Sequence, residues 1–312
     1  MLYCKTQFGQ GLLGRGMGFG NRLFPWARCR IFAFVNSAQM ISPVWLRPAI
    51  SQIFRGGIDY NSYVRQLILF GLFRRRSNDL SVIKGLMTTS RISVFHEPDS
   101  LESQYPVQTE KKNVTIIFSG YENYFLPLNN WHNFLYDELQ LITKVKYLNI
   151  VDSVGCIPIG ICVRCGNDFG EPVIINGKLQ KGQKTPIKWF VRCLNIIRSE
   201  INYPCRAVVI SDGTHRQLDE LLSLENVQLL RPASAISDLL VLAKTSLLIG
   251  SGSSSFVAWG CYLGQMPSIS HPGQSLLDWG IAPKKGQYIG EFDPNNPSEE
   301  FLSQVRVVLN KS

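Results

Sequence analysis

The sequence predicts an α/β chain in two halves, each built on a parallel sheet. Three observations carry this reading. From about residue 150, apolar runs of strand length alternate with amphipathic helical runs across short turns. Near the N-terminus a glycine-dense loop opens into an apolar helical run. The chain has 312 residues, long for one domain and comfortable for two of about 150. The halves are placed at 1–150 and 151–312, with the last helix able to pack back on the N-terminal half.

The elements follow in order. The loop Gly14-Arg15-Gly16-Met17-Gly18-Phe19-Gly20-Asn21 comes after a short segment, and 23–38 reads as a helix on its apolar spacing. Residues 43–112 are mixed, basic and hard to order. Residues 114–118 read as a strand and 131–141 as a helix. In the second half, 157–163 is a buried strand and 188–200 an amphipathic helix. Residues 207–210 form a strand ending at Ser211-Asp212-Gly213, with a helix over 215–224. A short helix over 237–243 leads to a strand at 246–249, a Gly/Ser loop at 250–255 and a helix over 256–263. Such alternation implies parallel sheets covered on both faces, with ligands at the carboxyl ends of strands.

Hydrophobic residues make up 45% of the chain and charged residues 18%, a balance that supports a sizeable core and argues against disorder. The net charge of +9 favours an acidic partner: a nucleic acid, a phosphate-bearing ligand or an anionic membrane face. The basic residues are spread along the chain and form no nucleic-acid module, so no nucleic acid is expected. No apolar run reaches the roughly 18 residues of a membrane span. The best, 67–73, stops at Arg74-Arg75-Arg76, which suits peripheral docking on an anionic surface. Without an apolar signal region the protein is expected in the cytoplasm, in contact at most with the inner face of the plasma membrane.

Eight cysteines in a chain this long do not suggest a disulfide framework. Cys162 and Cys165 form a CxxC with Cys156 nearby, but Cys193 and Cys205 do not supply a second zinc pair. These are read as structural thiols, and the Asn113 sequon as coincidental.

Four features carry chemistry. The glycine loop matches neither a dinucleotide fingerprint nor a P-loop, and remains a turn whose backbone can approach a ligand closely. Arg164 ends a buried strand, followed by Gly166-Asn167-Asp168, where a guanidinium fork can capture phosphate or pair with Asp168. Ser251-Gly252-Ser253-Ser254-Ser255 lies between a strand and a helix, where hydroxyls and free amides suit an anion; capping alone would use one serine. Asp238 opens the short helix before that strand. It could accept both the N1–H and N2–H of guanine, or act as a first-turn acid. Together these features would surround a nucleoside diphosphate.

At these residues the chain resembles the bacterial α-1,2-fucosyltransferases, glycosyltransferase family 11. Gly18-Phe19-Gly20-Asn21-Arg22-Leu23-Phe24-Pro25-Trp26-Ala27 is similar to the family's G-x-G-N-Q-x-F-x-x-A. Gly120-Tyr121-Glu122-Asn123-Tyr124-Phe125 is similar to G-Y-x-Q-x-x-x-Y-F with a shortened spacing. Residues 161–168 line up with H-x-R-R-G-D, 210–212 with I-S-D-D, and 253–260 with N-S-S-F-S-W-W-G. The order is kept over nearly the whole chain. Cys162 stands in place of the family histidine and Cys165 in place of the second arginine, with one residue inserted before Asp168.

The resemblance implies a GT-B fold, two Rossmann-like domains with parallel sheets facing across a cleft. It also implies inverting transfer from GDP-fucose with no metal and no cofactor. Carried over, Gly18, Gly20, Asn21, Arg164, Asp212, Asp238, Ser253, Ser254 and Ser255 would bind the donor. Arg164 would stabilise the leaving diphosphate, and Asp168 or Glu122 would be the base. The expected acceptor is an oligosaccharide or lipid-linked glycan of a surface polysaccharide such as an O-antigen or capsule. Another nucleotide-sugar donor, or a non-catalytic nucleotide-sugar binding protein, are the alternatives.

Overall fold

The computed structural model describes residues 1–8, 17–43, 45, 73–89, 93–101, 114–166, 168–230 and 234–310. Residues 9–16 of the glycine loop, 67–72 of the apolar run, Asn113 and Asn167 lie outside them. The chain divides into two compact units. The first runs from Met1 to Leu148 and takes in a short piece ending at Ile236; the second takes the rest from Asn149 on.

The first unit carries a parallel sheet ordered β2-β1-β4-β3: β1 Leu2–Gln7, β2 Gln39–Ile41, β3 Ser93–His96 and β4 Val114–Ser119. Helix α1, Phe19–Val35, packs on β1 and β4. It is buried on nearly every side, its arginines Arg22, Arg28 and Arg30 included. It begins earlier than the periodicity suggested, at Phe19. Pro25 sits inside it, so the Asn21 carbonyl loses its usual helical donor. The unit also contains α2 Val82–Thr89, α3 His132–Ile142 and the first turn of α4 Val145–Ser153.

The second unit holds a six-stranded parallel sheet: β5 Ile159–Val163, β8 Ala207–Ser211, β9 Val227–Leu229, β10 Leu247–Gly250, β11 Ser268–Ser270 and β12 Ile289–Glu291. Its order is β12-β11-β10-β5-β8-β9. Counted from β5, this is the doubly wound order 3-2-1-4-5-6, and its switch point lies between β5 and β10. Both strands are buried along their whole length, hence their unbroken apolar sequences.

Helices α5 Ile187–Ile201, α6 His215–Leu222, α7 Ala235–Ala243, α8 Ser255–Gly264 and α9 Glu299–Leu309 complete the set. Trp189, Phe190, Cys193, Leu194, Ile197 and Ile201 form the inward stripe of α5. Helix α6 starts at a capping box, Thr214 bonding the Gln217 N–H and the Gln217 side chain returning to the Thr214 N–H. Phe301, Val305 and Leu309 of α9 join the same core as α5. The last helix therefore belongs to the second unit's own core.

A small hairpin that the sequence reading passed over, β6 Ile174–Ile175 and β7 Lys178–Leu179, stands between β5 and α5. Two parallel-sheet α/β units are the composition of the fold class expected.

Candidate functional site

The switch point of the second sheet is where two of the predicted features, Arg164 and the serine loop, meet. Arg164 follows the last residue of β5, and its N–H donates to Ser251 Oγ at 3.2 Å, tying the end of β5 to the loop after β10. Its guanidinium is about a quarter exposed and meets two carboxylates. Asp212, at the end of β8, binds Nη1 at 2.7 Å, and Asp168 binds Nη2 at 3.1 Å. The Phe169 ring lies 5.4 Å from the guanidinium carbon. Burial works against the charge, but Asp212 and Asp168 outweigh it and hold the pKa above the ordinary arginine value. The arginine is thus always charged and already aimed.

The two carboxylates are not equivalent. Asp212 uses both oxygens, one on Arg164 and the other on the Cys165 N–H at 2.7 Å. It is the group that fixes the fork. Asp168 is two-thirds exposed, and Arg164 is its one ion-pair partner among the described residues. Gly166 makes the cluster possible: a Cβ there would lie 2.5 Å from Asp168 Oδ1 and 2.7 Å from Asp212 Oδ2.

The serine loop divides its labour. Ser251 is buried under Arg164. Ser253 accepts the Gly182 N–H at 3.3 Å, and as a hydroxyl it keeps a proton to donate. Ser254 is buried at the N-cap of α8 and makes no side-chain cap bond. Ser253 and Ser255 are the half-exposed hydroxyls of the loop. Gly252 has no room for a side chain, since a Cβ would fall 1.6 Å from the Gln274 carbonyl oxygen. The Trp279 indole N–H closes on the Gly252 carbonyl at 2.7 Å.

Asp238 lies in the first turn of α7, half-buried. Its charge, with that of Asp212, acts on the Cys162 thiol. Burial raises that thiol first, Arg164 opposes, and both carboxylates add to the rise. Arg164, Asp212 and Ser251 therefore meet at one strand end, and the charge of Asp238 acts on the strand just before that end. Gly18, Gly20 and Asn21 lie in the first unit at the start of α1, where the Arg22 N–H bonds the Gly18 carbonyl at 3.2 Å. A Cβ at Gly18 would meet nothing within 4 Å. Glu122 is exposed, just beyond β4.

Sequence reasoning missed three residues here. Lys184 is paired with Glu171 at 2.6 Å, and its charge reaches the Cys165 thiol. Burial raises that thiol, while Ser211, Lys184 and Arg164 oppose the rise. It is a second cation beside the position where the resembling family carries its second arginine. Gln274, fully buried, donates to the Gln180 and Gln183 carbonyls and accepts from Thr185. His271 ends β11 with its ring against Trp189. Their signal lay in the hairpin and the 271–279 loop, which carry no periodicity.

Seven of the eight cysteines are buried and all are reduced. Among the described residues no His, Cys, Asp or Glu cluster could hold a metal, and no helix is long and apolar enough to cross a membrane.

No family model matches the chain, and no curated protein matches it. Among solved structures it is similar to POFUT1 in complex with GDP, at 12% identity and a TM-score of 0.49 over 86% of this chain and 97% of that one. It is also similar to the NodZ α-1,6-fucosyltransferase soaked with GDP-fucose, at 13% identity and 0.49 over 86% and 94%. A third is an Arabidopsis thaliana FUT1 variant in complex with GDP, at 12% identity and 0.46 over 87% and 70%.

Proposed function

We propose that this protein is an inverting glycosyltransferase of GT-B type that transfers fucose from GDP-fucose to a glycan hydroxyl in surface-polysaccharide synthesis. One observation carries the reading: a braced arginine and a serine loop opening a helix meet at one strand end at the switch point of a doubly wound sheet, and the charge of a helix-start aspartate acts on that strand. That arrangement suits a nucleoside diphosphate. The α8 N-terminus and the Ser253 and Ser255 hydroxyls favour phosphate, and Asp238 offers two acceptors to guanine.

In the reaction, an acceptor hydroxyl attacks the anomeric carbon from the face opposite the diphosphate. The C–O bond to GDP breaks, and the hydroxyl proton passes to a base, Asp168 or Glu122. Charge grows on the leaving diphosphate, where Arg164 and Lys184 counter it. Because the counter-charge is carried by side chains, turnover should survive excess EDTA. An O-antigen or capsule intermediate, lipid-linked on the cytoplasmic side, is the acceptor class.

The test is direct. GDP should raise the melting temperature more than UDP does, and GDP-fucose should be hydrolysed or transferred. Stabilisation by UDP alone would replace the donor. Binding of GDP without any turnover would favour the second reading, a non-catalytic binder, for which the carboxylates on both sides of Arg164 are the argument.

A further inference from the structure

The hairpin between β5 and α5 is firmly held at its base and apolar at its tip. Asn176 and Gly177, both at positive φ, make the tight two-residue turn. The base is tied down at several points. The Gln180 N–H bonds the Val173 carbonyl, the Gly170 N–H the Gly182 carbonyl, and the Lys184 N–H the Gly170 carbonyl. Leu179, 1% exposed, donates its N–H to the Pro272 carbonyl, and buried Gln274 holds the Gln180 and Gln183 carbonyls.

Above this base Val173, Ile174 and Ile175 are 47%, 52% and 54% exposed. Successive strand residues point to opposite faces, so both faces of the ribbon tip are apolar. A ribbon meant only for water would be polar there. Three adjacent aliphatic side chains on a braced projection form a wedge awaiting an apolar medium.

The charge around the wedge says which medium. Residues 173–188 contain four lysines, Lys178, Lys181, Lys184 and Lys188, and no acidic residue, in a chain of net charge +9. Lys181 and Lys184 are paired with Asp278 and Glu171, while Lys178 and Lys188 are in no ion pair among the described residues. An aliphatic tip collared by lysines suits the interface of an anionic bilayer, aliphatics among the acyl chains and ammonium groups at the headgroups.

We infer that the 173–178 hairpin is a membrane-docking wedge for anionic lipid surfaces. The same segment, through Gly182, bonds Ser253 of the proposed donor loop. Docking would therefore bring the transfer site to the bilayer surface, where a lipid-linked acceptor is held. That last link rests on the proposed function; the docking itself does not.

The experiment is sedimentation of the full chain with vesicles of phosphatidylcholine alone, or of phosphatidylcholine mixed with phosphatidylglycerol. The wild type should bind the mixed vesicles and release with salt. Ile174→Ser with Ile175→Ser should weaken binding at least about tenfold, and Lys178→Glu by a smaller factor. Melting temperature and GDP binding should not change, since these side chains support no core. Three outcomes overturn the inference: no binding to the mixed vesicles, equal binding by the double variant, or a tip that instead drives self-association in sedimentation velocity. GDP binding, measured on the same samples, reports on the donor site separately.

Discussion

The two units use their arginines in opposite ways. In the first, Arg28 and Arg30 lie inside the buried helix α1, only 5% and 3% exposed. Arg30 forks onto Asp79 at 2.9 and 2.5 Å and faces Glu138, which also receives Arg76 at 2.6 Å. Arg28 holds Glu97 at 2.7 Å and the Ser119 carbonyl at 2.7 Å. These charges join α1 to its surroundings and are spent there. In the second unit Arg164 sits at a strand end, a quarter exposed, with one fixed carboxylate and one loose one. An arginine enclosed by buried acids holds a fold; Arg164 is partly exposed, and one of its two acids is two-thirds exposed.

The sharpest break of this comparison is Arg30→Met. It leaves Asp79, 7% exposed, without its charge partner and Glu138, 3% exposed, with Arg76 alone. Removing one member of such a buried pair costs about 3–5 kcal/mol, so the denaturation midpoint should fall steeply. GDP binding by the protein that remains folded should persist. An unmoved midpoint would show that the buried network contributes little.

Arg164→Ala should do the reverse. The melting temperature should stay near wild type, while kcat for transfer drops on the order of 10²–10³-fold, the scale for losing one preorganised charge-stabilising donor. Arg164→Lys should rescue little, because one ammonium cannot reproduce a planar fork. Lys184→Ala should cost less than Arg164→Ala. A rate within a few-fold of wild type for folded Arg164→Ala would put the phosphate site on the wrong strand.

Asp238→Asn sharpens the assignment of the base. Loss of a charged hydrogen-bond partner should weaken GDP by roughly 1.5–3 kcal/mol and leave UDP unaffected. Titration calorimetry with both nucleotides checks it. Equal loss for both would return Asp238 to the role of a first-turn acid.

The smallest effect concerns His271, at the end of β11. Burial holds its pKa below the ordinary value, against the pull of the Pro272 carbonyl and of Asp293 and Glu291. The unfolded chain therefore takes the proton first. The stability His271 contributes is present above the ordinary histidine pKa of about 6.5 and is lost as pH falls from there through the lowered folded value. Melting temperature should drop on acidification more steeply in wild type than in His271→Gln. Parallel profiles would show that the ring titrates as it does in water.

Much of the second unit was legible because its central strands are buried on both faces. Unbroken apolar runs at β5, β8 and β10, and the amphipathic stripe of α5, mark elements that packing enforces. Arg164, Asp168 and Asp212 could be named because each follows a strand. What could not be read is how they share charge. Nothing local distinguishes Asp212, which braces the arginine, from Asp168, which only touches it; a β8 residue and a β5 residue meet only once the strands are side by side. Lys184 and Gln274 were invisible for the same reason, since their partners lie across the hairpin and the 271–275 loop. In the first unit α1 reads as a helix, yet nothing local shows that Arg28 and Arg30 are paired by Asp79, Glu97 and Glu138 from distant segments.

By itself the sequence determined the central strands and helices of the second unit, that they alternate, and which residue types stand at the ends of those strands. Those follow from local periodicity, capping and turn chemistry, which depend on neighbours a few positions away. Only the tertiary structure decided the order 3-2-1-4-5-6 and hence the switch point. It alone decided which arginines are enclosed and which stays open, and that Val173, Ile174 and Ile175 face outward where their composition would place them in a core. The physical reason is that burial and ion pairing are set by whatever packs alongside, and in a parallel sheet those neighbours come from distant parts of the chain, as Ile159 beside Ala207 and Leu247 shows.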